Sequence, residues 1–178
     1  MNIYCSVCLT GFYHEKYITL LLEHYNDLKL PYSFPVALSY ISSPVLLGKE
    51  AILVFDEEED EPIGAAGYIH GTGPGDYLDT DIIQIQAVFL KPAYRKTRVF
   101  LQLLQFILQY MEQSESKVTE IRFWIPAGGE LSRLCAKLGE RVDQSETGLG
   151  QVEEYRAQYS SLYDYVLTLR TSGEAGIR

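Results

Sequence analysis

The most constraining feature of the sequence is a helical pattern that stands between two strand-like segments. Over residues 99–112, apolar side chains recur at the i, i+3, i+4 spacing of an amphipathic helix. An apolar strand is predicted before this helix at Ile82 to Leu90, and another follows it at Glu120 to Ile125. A strand, a helix and a strand in this order favour a parallel pair of strands joined by a right-handed crossover.

The segments before this unit predict antiparallel pairing. Ile3 to Leu9 is predicted to be a first strand, and an amphipathic helix follows it. Ala51 to Phe55 and Ile63 to His70 are apolar runs separated by the six acidic residues 56–61, which is typical of a β-hairpin with a solvated turn. The sheet is therefore expected to be mixed.

The segments after the crossover complete the predicted domain. Leu131 to Leu138 is predicted to be a short helix, with Gly139 as its left-handed cap, and Leu162 to Leu169 is predicted to be a final strand. We expect one α/β domain over residues 1–170, with a mixed, mostly antiparallel central sheet flanked by helices. Residues 171–178 are expected to form a flexible tail.

The overall charge and the cysteine content limit the classes of partner and compartment. The formal net charge is -9, which disfavours nucleic acid and anionic membranes as partners. There is no signal-peptide pattern and no apolar run of the length a membrane helix needs. Three cysteines indicate a reducing cytoplasm, and the spacing of Cys5 and Cys8 inside a predicted strand does not predict a metal site.

A basic segment precedes the amphipathic helix. Lys91, Arg95, Lys96 and Arg98 are four of the fifteen basic residues and have no acidic residue among them. Free amides and the positive end of the helix dipole favour an anion at a helix start, and guanidinium groups add bidentate hydrogen bonds. The segment therefore predicts a site for a phosphate-bearing ligand; the alternative is a solvated basic turn that caps the helix.

Four stretches between Ala51 and Leu169 read AILVFDEEEDEPIGAAGYI, IQAVFLKPAYRKTRVF, LQLLQFILQYM and ELSRLCAKLGE. In these stretches the chain resembles the GCN5-related N-acetyltransferase (GNAT) superfamily. In that family the loop after the fourth strand usually reads V-x-P-x-Y-R-G-x-G-x-G. Leu90, Pro92, Tyr94 and Arg95 stand at the V, P, Y and R positions, whereas the three glycine positions hold Lys96, Arg98 and Phe100.

The resemblance implies a GNAT-like fold that uses acetyl-CoA as cosubstrate, without a metal, and transfers an acyl group to an amine of a small molecule or peptide. It implies that the backbone of Val88 and Leu90 contacts the pantetheine arm. It further implies that one segment cradles the diphosphate of the coenzyme. The residues of that segment are Arg95, Lys96, Thr97, Arg98, Val99 and Phe100.

The catalytic groups of the family are replaced in this chain. Many members carry a tyrosine general acid in Y-x-K-x-G-F, and Cys135 stands at that position; the alternative is that Cys135 is a small core residue. Gln84 and Gln86 occupy the strand where the family often has a glutamate base, and an amide cannot accept a proton near neutral pH. Asp79 and Asp81 are candidate substitutes or simply solvated acids at a hairpin end.

Two other classes of function remain open at this point. A chain without the usual acid and base could bind acyl-CoA as a regulatory module without turning it over. It could also be a structural or interaction protein with the same fold, forming a homodimer through its final strands.

Overall fold

The strongly apolar segments of the sequence become the central strands of one sheet. In the computed structural model, which describes residues 2–47, 50–95 and 97–174, seven strands form this sheet. They are β1 Ile3–Val7, β2 Ala51–Asp56, β3 Pro62–His70, β4 Ile82–Leu90, β5 Glu120–Pro126, β6 Glu140–Thr147 and β7 Gly150–Gln158.

Helices cover both faces of the sheet. They are α1 Gly11–Glu23, α2 Tyr25–Leu28, α3 Phe34–Leu47, α4 Val99–Glu112, α5 Glu130–Leu138 and α6 Tyr159–Glu174. None of the helices within the described ranges is long and apolar enough to span a membrane.

The strands lie in the order β1-β2-β3-β4-β5-β7-β6. Neighbouring strands are antiparallel with one exception, the parallel pair β4 and β5 that α4 connects. The sheet is therefore mixed and mostly antiparallel with helices on its faces, and the α/β fold class expected from the sequence is confirmed.

Two hydrophobic cores form because the central strands are apolar on both faces. On one face, α4 and α6 bury Leu103, Leu108 and Val166 against the sheet. On the other, α1 and α3 bury side chains such as Tyr17 and Ile41. Burial of this kind stabilises the fold by about 25 cal/mol per Å² of apolar surface removed from water.

Leu162 to Leu169 is not a strand but the middle of α6, so that prediction is wrong. Leu162, Val166 and Leu169 have the i, i+4, i+7 spacing of a helix, and the first two are buried against the core. The last strands of the sheet are β6 and β7, which come earlier in the chain.

The structure also corrects two smaller predictions, one about the end of α5 and one about the C-terminal tail. Gly139 follows α5 with φ -162, an extended conformation, so it is not a left-handed cap. A Cβ at this position would lie 2.7 Å from the Arg156 carbonyl oxygen, so close approach of the backbone is the reason for glycine. Of the predicted tail, residues 171–174 continue α6, and 175–178 lie outside the described residues.

Candidate functional site

The candidate site lies where β4 and β5 separate. The two strands pair from Ile82–Glu120 to Gln84–Arg122. Beyond that point β4 continues to Leu90, while β5 stays paired with β7 as far as Pro126. One edge of β4 therefore faces an opening, and its backbone groups are available to an extended ligand that pairs with it as a strand would.

The end of β4 directs the backbone groups of Val88 and Leu90 into this opening. The Lys91 N–H donates to the Ile63 carbonyl of β3 at 2.8 Å. Because backbone groups of successive strand residues point to opposite edges, those of Leu90 and Val88 point away from β3. A pantetheine arm lying along this edge, as predicted from the sequence, would meet these groups, of which the Leu90 carbonyl already accepts from Arg95 Nε.

A β-bulge precedes these residues. Gly67 pairs with Ala87 and the next residue, Tyr68, pairs with Ile85, so Gln86 is an extra residue in β4. A bulge bends its strand and re-aims the residues beside it. The bulge lies directly before the part of β4 that borders the opening.

The loop between β4 and α4 brings the predicted diphosphate segment to the start of a helix. The Thr97 hydroxyl accepts from the Val99 N–H at 3.2 Å and donates to the Tyr94 carbonyl at 2.7 Å. The next amides of this first turn, those of Phe100 and Leu101, have no acceptor within the helix, because the i–4 carbonyl positions precede it. The start of α4 thus offers backbone donors beside exposed Thr97 and Arg98.

Two residues of that segment can contribute only backbone groups. The Val99 side chain is buried, and the Phe100 ring packs against the core under α4. Phe100 takes one of the family's glycine positions, and the fold accommodates it by turning the ring inward. Lys96 lies outside the described residues.

Arg95 lies over the end of β4 and connects it to the turn between α1 and α2. Its Nε donates to the Leu90 carbonyl at 2.8 Å, and its guanidinium carbon lies 5.6 Å from the centre of the Phe89 ring. One terminal nitrogen lies 3.8 Å from a carboxylate oxygen of Asp27. The Arg95 charge is therefore held at the mouth of the opening, beside the loop that carries Arg98.

Cys135 lies on the inner side of α5 with 7% of its surface exposed. Burial and then the nearby Glu153 carboxylate raise the pKa of its thiol to about 11. The thiol is consequently protonated at neutral pH and is a weak acid.

Glu153 is a buried carboxylate beside Cys135. It accepts hydrogen bonds from Ser132 at 2.8 Å, Tyr155 at 2.9 Å and Arg141 at 3.1 Å. Burial alone would raise its pKa, but these donors outweigh that effect and lower it. The cluster fixes α5 on β7, and through it the position of Cys135.

The polar side chains on β4 and just before it, including the candidate bases Asp79 and Asp81, already form hydrogen bonds within the protein. The Gln84 amide donates to Gln86, which donates to Ser43 of α3. Asp79 accepts from both the amide and the hydroxyl of Thr72, which lowers its pKa, and Asp81 accepts from the Thr119 hydroxyl. Both aspartates stand at the start of β4, the opposite end from the loop with Arg95, so the geometry gives them a structural role.

Sequence reasoning missed a polar face beside the opening. Ile121 and Phe123 of β5 pack towards α4, so Arg122 and Trp124 point to the face that carries α1 and α3. Glu154 of β7 pairs with Trp124 across the strands. The Trp124 ring is suited to contact an ammonium group. The Glu154 carboxylate already accepts a hydrogen bond from Arg156 Nε at 2.9 Å. The alternation of inward and outward side chains along β5 and β7 could have revealed this face, but β7 was not predicted from the sequence.

A bridge crosses the mouth of the opening on this face. The Thr147 hydroxyl at the end of β6 donates to the Pro31 carbonyl after α2. The β6–β7 turn is anchored near the end of β5 by the Ala127 N–H, which donates to Gln151 at 2.9 Å. Since Asp27 places α2 beside the end of β4, the bridge encloses the space through which an acceptor would reach the opening.

The chain matches the model of the Acetyltransferase (GNAT) family over residues 15–133. No curated protein is significantly similar to it in sequence. Three solved structures have closely related folds. A chain of the NatC complex bound to Gag peptide and CoA has 14% identity and a TM-score of 0.66, covering 89% of this chain and 99% of that one.

The second structure is Arabidopsis thaliana Naa50 in complex with a bisubstrate analogue, at 13% identity and a TM-score of 0.62, covering 89% of this chain and 99% of that one. The third is the PaiA N-acetyltransferase of Thermoplasma acidophilum in complex with coenzyme A, at 15% identity and a TM-score of 0.57, covering 87% and 99%. At these identities the likeness establishes the fold.

Proposed function

The chain belongs to the Acetyltransferase (GNAT) family, and we propose that it transfers an acetyl group from acetyl-CoA to an amine of a peptide or small molecule. The observation that carries this proposal is the opening between β4 and β5, bordered by the free edge of β4 and by the start of α4. The related structures with CoA, a peptide or a bisubstrate analogue support both the use of the coenzyme and the transfer to an amine.

The coenzyme part of the proposal assigns two roles. The backbone of Val88 and Leu90 would pair with the amides of the pantetheine arm. The amides at the start of α4, with Thr97 and the cations Arg95 and Arg98, would hold the diphosphate. We extend the role to Lys96 from the sequence pattern alone.

The transfer part needs one bond made and one broken. The neutral amine attacks the thioester carbonyl, and the new carbon–nitrogen bond replaces the carbon–sulfur bond. The nitrogen loses one proton to a base or to water, and the thiolate of CoA leaves and takes up a proton. The thioester is already activated, so holding the amine beside it supplies much of the rate. In this proposal Cys135 donates the proton to the leaving thiolate.

A second candidate function is a module that binds acyl-CoA without turnover. The observation that favours it is the pair Gln84 and Gln86, whose carboxamides bond to each other and to Ser43 where a base is needed. The cytoplasmic location and the homodimer expected from the sequence also remain proposals.

Calorimetry with CoA and acetyl-CoA tests the coenzyme site. We expect Arg95→Ala to weaken CoA binding by about tenfold or more, because a charge-assisted hydrogen bond contributes roughly 1.5–3 kcal/mol. Lys117→Ala, an exposed cation before β5, is the matched control and should leave the affinity unchanged. Absence of CoA binding would refute the proposed function, and binding insensitive to Arg95→Ala would refute the assignment of the loop.

A thiol-release assay separates the two candidate functions. Acetyl-CoA is supplied with a panel of short peptides that have free amino termini and with simple primary amines. Amine-dependent release of CoA, with the acetylated product identified by mass, is the outcome expected for a transferase. Tight CoA binding with no acetylated product would establish the binding module instead.

A further inference from the structure

His24 lies at the turn between α1 and α2, over the end of β4. Its ring stacks on Phe89 with the centres 4.7 Å apart and the planes inclined by 26°. Phe89 belongs to the core on the α1 and α3 face and is flanked in sequence by Val88 and Leu90, which border the opening. The imidazole is therefore placed beside the opening by a contact with β4 itself.

Two charged groups stand beside this imidazole. The Asp27 carboxylate of α2 lies 3.5 Å from His24 Nδ1, and the same carboxylate lies 3.8 Å from the Arg95 guanidinium. Asp27 favours a proton on Nδ1, since a donor there faces the carboxylate. Nε2 is then the nitrogen that is left to accept a proton.

The face of the sheet decides which reactant the imidazole can meet. α4 lies on the opposite face, and the coenzyme of the proposed function would contact the start of this helix there. From the preceding loop, Arg95 reaches across the end of β4 to Phe89 and Asp27 on the face of α1. The acceptor must then approach from the face of α1 and α3, which also carries Trp124 and the bridge between Thr147 and Pro31. His24 is on this acceptor side, where the polar side chains of β4 are Gln84 and Gln86, whose carboxamides cannot accept a proton near neutral pH.

We propose that His24 is the catalytic residue that accepts the proton of the attacking amine, directly or through one water molecule, and that Asp27 is its positioning residue. This inference rests on the proposed transferase function. The proton passes from the amine nitrogen to Nε2 as the carbon–nitrogen bond forms, and His24 returns it to solvent after CoA leaves. Asp27 holds the ring and also contacts Arg95, so it ties the proton acceptor to the coenzyme loop.

The test compares the pH dependence of kcat/KM for His24→Gln and the wild type, using acetyl-CoA and the fastest amine from the panel. In the wild type both the amine and the imidazole must lose a proton, so log kcat/KM falls at low pH with a slope approaching two. In His24→Gln the amine alone must do so, and the slope becomes one. We expect the rate to fall by about 100-fold, the lower range for a positioned base.

Four further variants keep the result interpretable. His24→Phe preserves the ring on Phe89 and should behave like His24→Gln, which separates proton transfer from packing. Asp27→Asn should lower kcat by less than His24→Gln does while retaining the slope of two, and Asp27→Glu should restore part of the loss. His14→Gln, on the same helix with its Nε2 at the Cys8 carbonyl, should leave the profile unchanged.

The outcomes distinguish this inference from the proposed function. CoA affinity measured by calorimetry should be the same in His24→Gln and the wild type, which also reports that the variant is folded. If His24→Gln keeps a slope of two, or its rate stays within twofold of the wild type, the role of His24 is refuted while the transferase function stands. If the wild type acetylates no amine, both fail.

Discussion

Cys135 illustrates how burial limits what a thiol can contribute to catalysis. Its pKa of about 11, raised by burial and by Glu153, lies above the value of about 8.5 for an ordinary thiol such as that of CoA. Proton transfer from Cys135 to the leaving thiolate is therefore uphill, although the thiol is fully protonated and able to donate. We infer a modest role, since water can take its place.

Cys135→Ala is expected to lower kcat several-fold and to leave the affinity for CoA unchanged. The reason is that the variant removes a weak proton donor from α5 without altering β4 or the loop. Steady-state kinetics with acetyl-CoA measure the effect. Cys5→Ala is the matched control, because burial also raises the pKa of the Cys5 thiol to about 11 but Cys5 lies on β1. An unchanged kcat in Cys135→Ala would leave Cys135 as a core residue.

The site residues differ in how far the sequence could predict them. Val88 and Leu90 were predictable because a regular strand fixes the direction of every second backbone group. His24 and Asp27 were not, because the four-residue helix α2 has no periodicity, and their neighbours Phe89 and Arg95 are more than sixty positions away. Contacts of this kind are set by packing of α1 on the sheet.

At the level of elements, the contact of α1 with β3 depends on a glycine. An ideal Cβ at Gly67 would clash with the Tyr17 hydroxyl and lie 2.6 Å from Cγ of Pro44, which is inside α3. The helices approach β3 this closely because its Gly67 has no side chain. Gly67 therefore sets the spacing between two helices and the strand that pairs with β4.

Gly67→Ala is expected to lower the free energy of unfolding by roughly 1–3 kcal/mol, the usual cost of overpacking a core. Urea denaturation measures it. Gly11→Ala is the control, since a Cβ there meets nothing within 4 Å and should be neutral or slightly stabilising. Adding Tyr17→Phe to Gly67→Ala should recover part of the loss, because the clashing hydroxyl is gone. A wild-type stability in Gly67→Ala would contradict the packing described for α1.

His70 connects the end of β3 to Glu50, just before β2, and predicts a pH-dependent contribution to stability. Its Nε2 lies 3.5 Å from the Glu50 carboxylate, and its Nδ1 lies 3.0 Å from the Thr80 carbonyl. The Glu50 contact raises the pKa of His70, with burial opposing it and the Thr80 carbonyl assisting. A group whose pKa is raised in the folded state stabilises fully below its unfolded pKa of about 6.5 and ceases to do so as the pH rises through its folded pKa.

The difference in unfolding free energy between the wild type and His70→Gln should therefore be larger at a pH below this unfolded value than at alkaline pH. Denaturation at both pH values measures the difference, and subtracting the variant removes the contributions of His14 and His24. A difference that is constant with pH, or that grows towards alkaline pH, would contradict a charged His70–Glu50 pair.

Elements with one strong pattern were predictable, and elements without one were not. β4 has the predicted limits because its residues are apolar except for Gln84 and Gln86, and polar residues bound it on both sides. α6 was predicted as a strand because its aromatic and β-branched residues favour one, although its buried positions, three or four residues apart, have the spacing of a helix. β6 has exposed or half-exposed residues throughout, so it has no apolar alternation to recognise, and it forms through pairing with β7.

On the scale of the whole molecule, one geometric feature organises the candidate site. The sheet is continuous through β3 and β4 and again through β5 and β7, but the parallel pair between them joins at only one end within the described chain. The two halves carry separate groups: β4 leads into the loop with Arg95, β7 carries Glu154, and the end of β6 carries the Thr147 hydroxyl that bonds to Pro31. In the proposed function, the coenzyme and the acceptor would meet at this junction.

The charge of the whole molecule predicts how the affinity for CoA changes with salt, and the direction of that change tests the role of the basic loop. The net charge of -9 repels the anionic coenzyme at long range, whereas Arg95 and Arg98 attract it at contact. The screening length falls from about 30 Å at about 10 mM salt to about 10 Å at about 100 mM, so added salt weakens both effects. If the basic loop holds the diphosphate, attraction at contact is the larger effect, and the Kd for CoA should increase over this range. Calorimetry at the two salt concentrations measures it.

Two variants test whether the basic loop causes this salt dependence. Arg98→Ala should reduce the salt dependence of the Kd, and Lys117→Ala should not. If the affinity of the wild type for CoA improved with salt, overall repulsion would govern binding, and the loop would not neutralise a diphosphate.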